Sequence, residues 1–343
     1  MSKRNLTIDD VAKAAGVARV TVSRVLNNGP NVRPQTRDRV QRAVKELGYS
    51  VNLQARALAS GVGRQVVLVH AHNPDQEPNS YYHAALELGA LRACSSLGFD
   101  LVTRSVDPDG DETARFLSAI IDRERPVGII VSPPFSDDLD LLREARRLGA
   151  RIVAISAGEG AHDLVPGVGI DERAAGRLVG EFLLSLGHRR LGFVKGPEEH
   201  RAAAIRYLGF TDALEAGGVT EQPWVGQGDF TFKSGVEAAE RMLREMPNVT
   251  ALACANDDMA AGALLALHRH DVNIPSDISV TGFDDTPMSE IVWPPLTTVR
   301  QPIKLLAERA VYMLLDADRA PALPARYELI EHKLIIREST AAI

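Results

Sequence analysis

The apolar positions change rhythm near residue 65. Before it they recur every three or four residues, the spacing of a helix face; after it they come as short unbroken runs. Ile8, Val11, Ala12 and Ala15 make the first face, opened by Thr7 and Asp10 at capping-box spacing and stopped by Gly16. Beyond the turn Gly16-Val17-Ala18, a second helix is predicted over residues 19–27. Val22, Val25 and Leu26 form its inward side, which leaves Arg19, Ser23, Arg24, Asn27 and part of Thr21 facing elsewhere. Pro34 suits the first turn of a third helix running to Gly48, with Val40, Val44 and Leu47 as its stripe. Two short helices across a glycine turn, propped by a third, predict a helix-turn-helix, whose second helix enters a DNA major groove N-terminal residues first.

The later runs are Val66–Val69, Val127–Val131, Arg151–Ile155, Leu191–Val194, Ala251–Ala255 and Ile278–Phe283. Amphipathic stretches at Tyr81–Leu97, Ala174–Leu186, Ala202–Ala216 and Ser234–Met246 lie among them. Buried strands alternating with helices predict parallel sheets covered on both faces. The expected fold is an N-terminal all-α helix-turn-helix domain plus an α/β body of two doubly wound parallel-sheet lobes. Ligands of such sheets bind beyond the carboxyl ends of the strands.

Charge divides the 343 residues at the same place. Residues 1–60 hold 11 Lys and Arg against 4 Asp and Glu, a net of +7 inside a chain whose total is −6; the remainder carries −13. A small cationic module on an anionic body fits a polyanionic partner. The opening residues Met1–Leu6 lead into a polar periodic segment, so no secretory signal is expected, and no apolar run approaches a membrane span. Cys94 and Cys254 lie in apolar stretches and suit a reducing cytoplasm. Cys-x-x-Cys and His-Glu-x-x-His are both missing, and His268 and His270 have no ligands nearby in sequence; no metal and no cofactor are expected. Gly61-x-Gly63 continues to Val66 and is an incomplete nucleotide loop, and no Gly-x-Ser-x-Gly elbow occurs, which weighs against an enzyme. The competing readings are a periplasmic-type transport protein, which the basic head opposes, and an architectural DNA binder without sequence preference.

Thr7-Ile8-Asp9-Asp10-Val11-Ala12, Ala15-Gly16-Val17, Thr21-Val22-Ser23-Arg24-Val25-Leu26-Asn27 and Gly48-Tyr49 resemble, nearly residue for residue, the DNA-binding signature of the lactose-repressor family. The resemblance implies that Arg19 and Val20 are variable base readers and Arg24 a fixed one. An arginine fork suits guanine O6 and N7, and Val20 offers only an apolar contact. Thr7, Thr21, Ser23, Asn27 and Thr36 match phosphate contacts, which position without reading sequence. The stretch 52–59 resembles the hinge helix: Leu58 matches the leucine wedged between central base pairs, and Asn52, Ala55 and Arg56 its groove and backbone neighbours. Ala18 and Arg33 stand where the family usually has Ser.

The body resembles the same family through Gly169-Ile170-Asp171, Leu186–Phe193, Arg206-x-x-Gly209-Phe210, Ala255-Asn256-Asp257, Gly282-Phe283-Asp284-Asp285 and Pro295–Val299. The implied domains are residues 1–50, a hinge at 51–63 and a body at 64–343. The first lobe is expected at 64–165 and 299–325, the second at 166–298 and 326–343. Arg206 matches a ligand-clamping arginine, and Phe230 an aromatic that stacks on a sugar face. Asn256 and Asp284 follow strands and offer acceptors to hydroxyls. In the first lobe His72, Asn79, Tyr81 and Tyr82 follow the first strand, and Ser132 and Ser156 later ones. Ordinary readings compete: Asp284–Pro287 as a turn, Arg206 in a helix-surface ion pair, Tyr81 as core. The family commonly has an Asn-Pro-Phe-Phe-like run where this chain has the longer, polar residues 70–82. The implied protein is a sequence-specific repressor, homodimeric on palindromic operator DNA, whose ligand is a mono- or disaccharide acting as inducer, or else as corepressor. The absence of an added leucine-rich helix after residue 340 favours a dimer over a tetramer.

Overall fold

Small β-branched and alanine side chains hold the N-terminal helices together. In the computed structural model, which describes residues 7–26, 32–47, 64–71, 80–107, 113–316 and 326–343, α1 spans Ile8–Ala15, α2 Arg19–Leu26 and α3 Pro34–Leu47. Val11, Ala12, Ala15, Val22, Val25, Val40 and Ala43 form their core, with Leu26, Val44 and Leu47 packed against it. The capping box is formed: Asp10 N donates to the Thr7 hydroxyl at 3.4 Å, and Thr7 N donates to Asp10 Oδ2 at 2.8 Å. Gly16 ends α1 at φ 61°, a left-handed conformation that favours glycine. The chain divides into two units, Met1–Gly63 and Arg64–Ile343.

The second unit holds two six-stranded sheets. The first consists of β1 (Gln65–Ala71), β2 (Asp100–Val106), β3 (Gly128–Val131), β4 (Ile152–Ile155), β5 (Gly167–Gly169) and β11 (Tyr327–Leu329), in the order β11-β5-β4-β3-β1-β2 and wholly parallel. Its helices include α4 (Ser80–Leu97), α5 (Thr113–Ala119), α6 (Leu139–Arg147) and α7 (Glu159–His162). Along β1, Val66 and Leu68 enter one core and Val67 and Val69 the other, because alternate side chains point to opposite faces and both are covered.

The second sheet contains β6 (Leu191–Lys195), β7 (Trp224–Gln227), β8 (Ala251–Cys254), β9 (Ser279–Asp284), β10 (Thr297–Arg300) and β12 (Lys333–Ile335), ordered β12-β10-β9-β8-β6-β7. Among the described strands only β12 pairs antiparallel, with β10. Around this sheet lie α8 (Glu172–Ser185), α9 (Arg201–Ala216), α10 (Phe232–Glu245), α11 (Asp257–Arg269) and α12 (Met288–Ile291). The last long helix, α13 (Ile303–Asp316), packs instead on α4 and the first sheet. Cys94 and Cys254 are buried and unpaired.

The lobe boundaries differ from those expected. The expected second lobe includes Gly167–Gly169 and Tyr327–Leu329, yet these strands pair with each other, and the former with β4, in the first sheet. The expected first lobe resumes at Val299, yet Val299 and Arg300 belong to β10, which pairs with β9 in the second sheet. The chain therefore crosses at residues 170–171, 301–302 and 330–332. Pro166 is no boundary, because its carbonyl accepts from Ala154 N at 2.9 Å and so joins the ladder of the first sheet. Proline is compatible with the start of a strand. Polar Thr298 is buried in β10 because its hydroxyl donates to Asp257 Oδ1 at 2.6 Å.

Candidate functional site

The head exposes an apolar residue where a free protein gains nothing from it. With Val22 and Val25 turned inward, α2 presents Arg19, Val20 and Arg24 to solvent, Val20 at 58%. Thr21, Ser23 and Thr36 are partly exposed. Arg19 Nη1 stands 3.6 Å from Asp9 Oδ2, an exposed pair that a phosphate or base can replace at little cost. The Thr7 hydroxyl is engaged in its cap, donating to Asp10 Oδ2 at 2.8 Å. Asn27, Asn52, Ala55, Arg56 and Leu58 lie outside the described residues, as do His72 and Asn79.

In the body the strand ends converge on Arg206. This side chain is buried and is not a helix-surface residue. Its Nε and Nη2 donate to Glu172 Oε2 at 3.1 and 2.9 Å, its Nη1 donates to the carbonyl of Ala255, and its guanidinium lies over the Phe283 ring, 3.3 Å from the centroid. Glu172 opens α8 and Arg206 belongs to α9. Those helices touch backbone to backbone: a Cβ at Gly176 would run into the carbonyl of Arg206, and one at Gly209 into that of Arg173. Glycine at both places is what lets the ion pair close.

Asp284 ends β9 at φ 105°, followed by Asp285 at φ 54°. It is no ordinary surface turn, since Asp284 is buried and accepts from Gln301 Nε2. Burial pushes its pKa up to about 7, against the opposing pull of Arg206 and Gln301, with Glu172 and Asp258 pushing further. Glu172 is likewise raised, by burial first, although Arg206 opposes it. The other carboxyl of this group, Asp257, is held well above its usual range by burial and by Asp284. Gln301 Oε1 is buried without a partner. Ser156 and Phe230 also stand at positive φ, 52° and 69°. Four left-handed non-glycine residues at these strand ends are a local strain that surrounding packing must hold.

From the first lobe, Tyr81 and Tyr82 on α4 and Ser156 after β4 reach this group. Burial raises the Tyr82 pKa, as does Asp284 of the second lobe, while Ser156 draws it down. Tyr81 is raised by burial and then by Asp285, Asp284 and Asp257, so it too faces the second lobe and is only partly covered. Phe230 meets His200 edge to face at 4.9 Å. His200 caps α9 through Nδ1, accepting from Ala203 N at 3.3 Å, which requires an unprotonated ring nitrogen. Burial and Arg206 push His200 down to about 3, in keeping with that role.

Two expected ligand residues have other work. Asn256 Oδ1 accepts from Met259 N at 2.9 Å and its Nδ2 donates to Phe230 O at 2.9 Å, so it caps α11 and tethers Phe230. Ser132 is fully buried and donates to Val69 O at 3.3 Å. Conversely, Glu172, Asp257 and Gln301 were not among the expected residues. An acidic residue in a first helical turn has a ready explanation in the helix dipole, so Glu172 carried no distinguishing signal.

A profile described as bacterial regulatory proteins, lacI family, matches residues 7–52, and one described as a periplasmic binding protein-like domain matches residues 181–340. The HTH-type transcriptional regulator CelR of Thermobifida fusca is 33% identical over 98% of this chain and 99% of its own length. Catabolite control protein A of Priestia megaterium is 30% identical over 98% and 99%. Among solved structures, a CelR–cellobiose complex superposes with TM-score 0.74 at 32% identity, covering 97% of this chain and 99% of that one. The lac repressor dimer bound to operator and the anti-inducer ONPF gives 0.74 at 29%, covering 99% and 100%. A helix-turn-helix with an exposed reading face, followed by two parallel-sheet lobes around buried polar strand ends, is matched by these relatives along their full length, and the chain belongs to the LacI family of bacterial regulatory proteins.

Proposed function

We propose that this protein is a cytoplasmic, homodimeric transcriptional repressor that reads a palindromic operator through α2 and responds to a mono- or disaccharide held between its lobes. The observation that carries this reading is the buried group of Arg206, Glu172, Asp284 and Gln301 at the strand ends of a chain whose other unit exposes Arg19, Val20 and Arg24. Guanidinium N–H groups donate to sugar oxygens, while the Asp284 carboxyl and Gln301 Oε1 accept from sugar hydroxyls. Phe230 offers an apolar ring to the face of a pyranose. The relative solved with cellobiose makes that disaccharide the first candidate, and the operator-bound lac repressor dimer supports a two-fold arrangement on DNA.

The ligand acts through unequal affinity for two lobe arrangements, for which couplings of about 1–3 kcal/mol are typical. The cleft binds its ligand without turning it over, a reading supported by relatives that are transcriptional regulators. No described helix is long and apolar enough to cross a membrane.

The test is a random-oligonucleotide selection with the full chain, followed by anisotropy titrations of the selected palindrome with and without a saccharide panel. Expected are a preferred palindrome and its release by at least one saccharide. Binding that is tightened by the sugar would make it a corepressor. Arg24→Ala is expected to weaken the selected site by about 1–3 kcal/mol relative to random DNA, the value of one bidentate base contact.

A further inference from the structure

The ion pair on the clamp arginine is the least expected feature of the cleft. Arg206 and Glu172 side chains are only 6% and 8% exposed. One carboxylate oxygen takes both Nε and Nη2, which together form an edge that otherwise receives a carboxylate or phosphate as a fork. With Nη1 also bonded to Ala255 O, three of the five N–H donors are engaged, and Phe283 covers one face of the plane. The remaining donors suffice for hydroxyl oxygens.

The other cations near the strand ends are engaged elsewhere, Lys195 over the Tyr207 ring at 4.0 Å from its centroid. Arg300 and Arg337 both bind Asp285, Arg337 at 2.7 Å. The Arg201 guanidinium lies close to Gly158 and draws Asp137 downward against the effect of burial. Glu172 and Asp284 therefore share Arg206 alone, a surplus of carboxyl over cation. An anionic ligand that claimed the arginine fork would leave Glu172 buried and unpaired beside a second acid, which is the costly way to break a buried ion pair. A neutral sugar needs only hydrogen bonds, and Gln301 Oε1 is a buried acceptor still lacking one.

We propose that Glu172 sets the charge selectivity of this cleft: by occupying the fork of Arg206 it reserves the site for neutral polyhydroxylated ligands and turns away sugar phosphates and sugar acids. This rests on the saccharide reading of the cleft and narrows it.

The test is calorimetric titration of the full-length protein with matched pairs at fixed ionic strength: glucose against glucose 6-phosphate and glucuronate, and cellobiose against cellobionate. Wild type is expected to bind a neutral member and to bind its anionic counterpart at least about tenfold more weakly, the scale of an uncompensated buried charge. Glu172→Gln is expected to shrink that ratio by about tenfold, whereas Glu172→Asp, which keeps the charge, preserves its direction. A purely structural role would weaken both classes together and leave the ratio unmoved. Thermal unfolding of each ligand-free variant separates lost folding from altered selectivity. Should wild type take an anion as tightly as its neutral counterpart, the charge filter is wrong while the saccharide cleft stands. An unchanged ratio in Glu172→Gln, with the variant folded, removes Glu172 from the role. Failure of every probe, neutral and anionic, overturns both the filter and the saccharide reading.

Discussion

The two lobes bring different chemistry to the same cleft. The second contributes charged groups held in place before any ligand arrives: Arg206 is clasped by Glu172, a carbonyl and an aromatic face, and the helices carrying the ion pair are in backbone contact. The first contributes phenols and hydroxyls, Tyr81, Tyr82 and Ser156, on the N-terminal turn of α4 and the end of β4. Fixed charges are useful for recognition because their reorganisation is already complete. Uncharged hydrogen-bonding groups would suit a wall that opens and closes, since exposing and covering them costs far less than desolvating a charge. On this view the second lobe selects the ligand and the first lobe registers it.

The largest effect should come from Arg206→Ala, which leaves Glu172 buried without its cation. Denaturant unfolding of the ligand-free protein is expected to show a loss of about 3–5 kcal/mol, with operator binding retained at low temperature and the saccharide response gone. A loss no greater than that of a first-lobe substitution would erase the contrast between the lobes.

Next comes Gly209→Ala, whose Cβ would strike the Arg173 carbonyl. Forcing α8 and α9 apart should cost about 3 kcal/mol and weaken the ligand response together with stability. A stable variant with normal response would mean that the helix contact does not position the ion pair.

Asp284→Asn sharpens the comparison through pH. The folded state holds the Asp284 proton up to about 7, above the ordinary carboxylate value of 3.8, because the residue is buried. Its contribution to stability is thus present at low pH and is lost as pH rises toward 7. Removing the titration should make the variant gain on wild type by about 2 kcal/mol between roughly pH 5 and pH 8, read from unfolding free energies at each pH. Parallel profiles would show that Asp284 titrates normally. The smallest effect is expected for Tyr82→Phe, below about 1 kcal/mol in stability and a few-fold in ligand affinity, since only one uncharged hydroxyl is removed.

Legibility in the sequence followed the length of a run and the side chains it carries. Core strands such as Val66–Val69 and Ile278–Phe283 were plain because both faces are covered and their residues are continuously apolar or nearly so. The last two strands at one end of the first sheet were not: Gly167–Gly169, paired on both sides, and the edge strand Tyr327–Leu329 are short, and the former has almost no side chains to show a pattern. Arg206 and Phe230 were singled out through resemblance to a family, and Asp284 because it follows a strand. Asn256 was singled out on the same ground as a ligand acceptor, whereas its amide serves a helix cap and the Phe230 backbone.

The sequence by itself determined a helical reading head with Arg19 and Arg24 facing outward, and a body of alternating strands and helices, because these depend on spacing between near neighbours. Tertiary structure alone decided where the chain crosses between lobes and which acid meets which base. Glu172 and Arg206 are 34 positions apart, and only two glycines on facing helices bring them into contact; that is a matter of distance in space, which no local pattern of residues encodes.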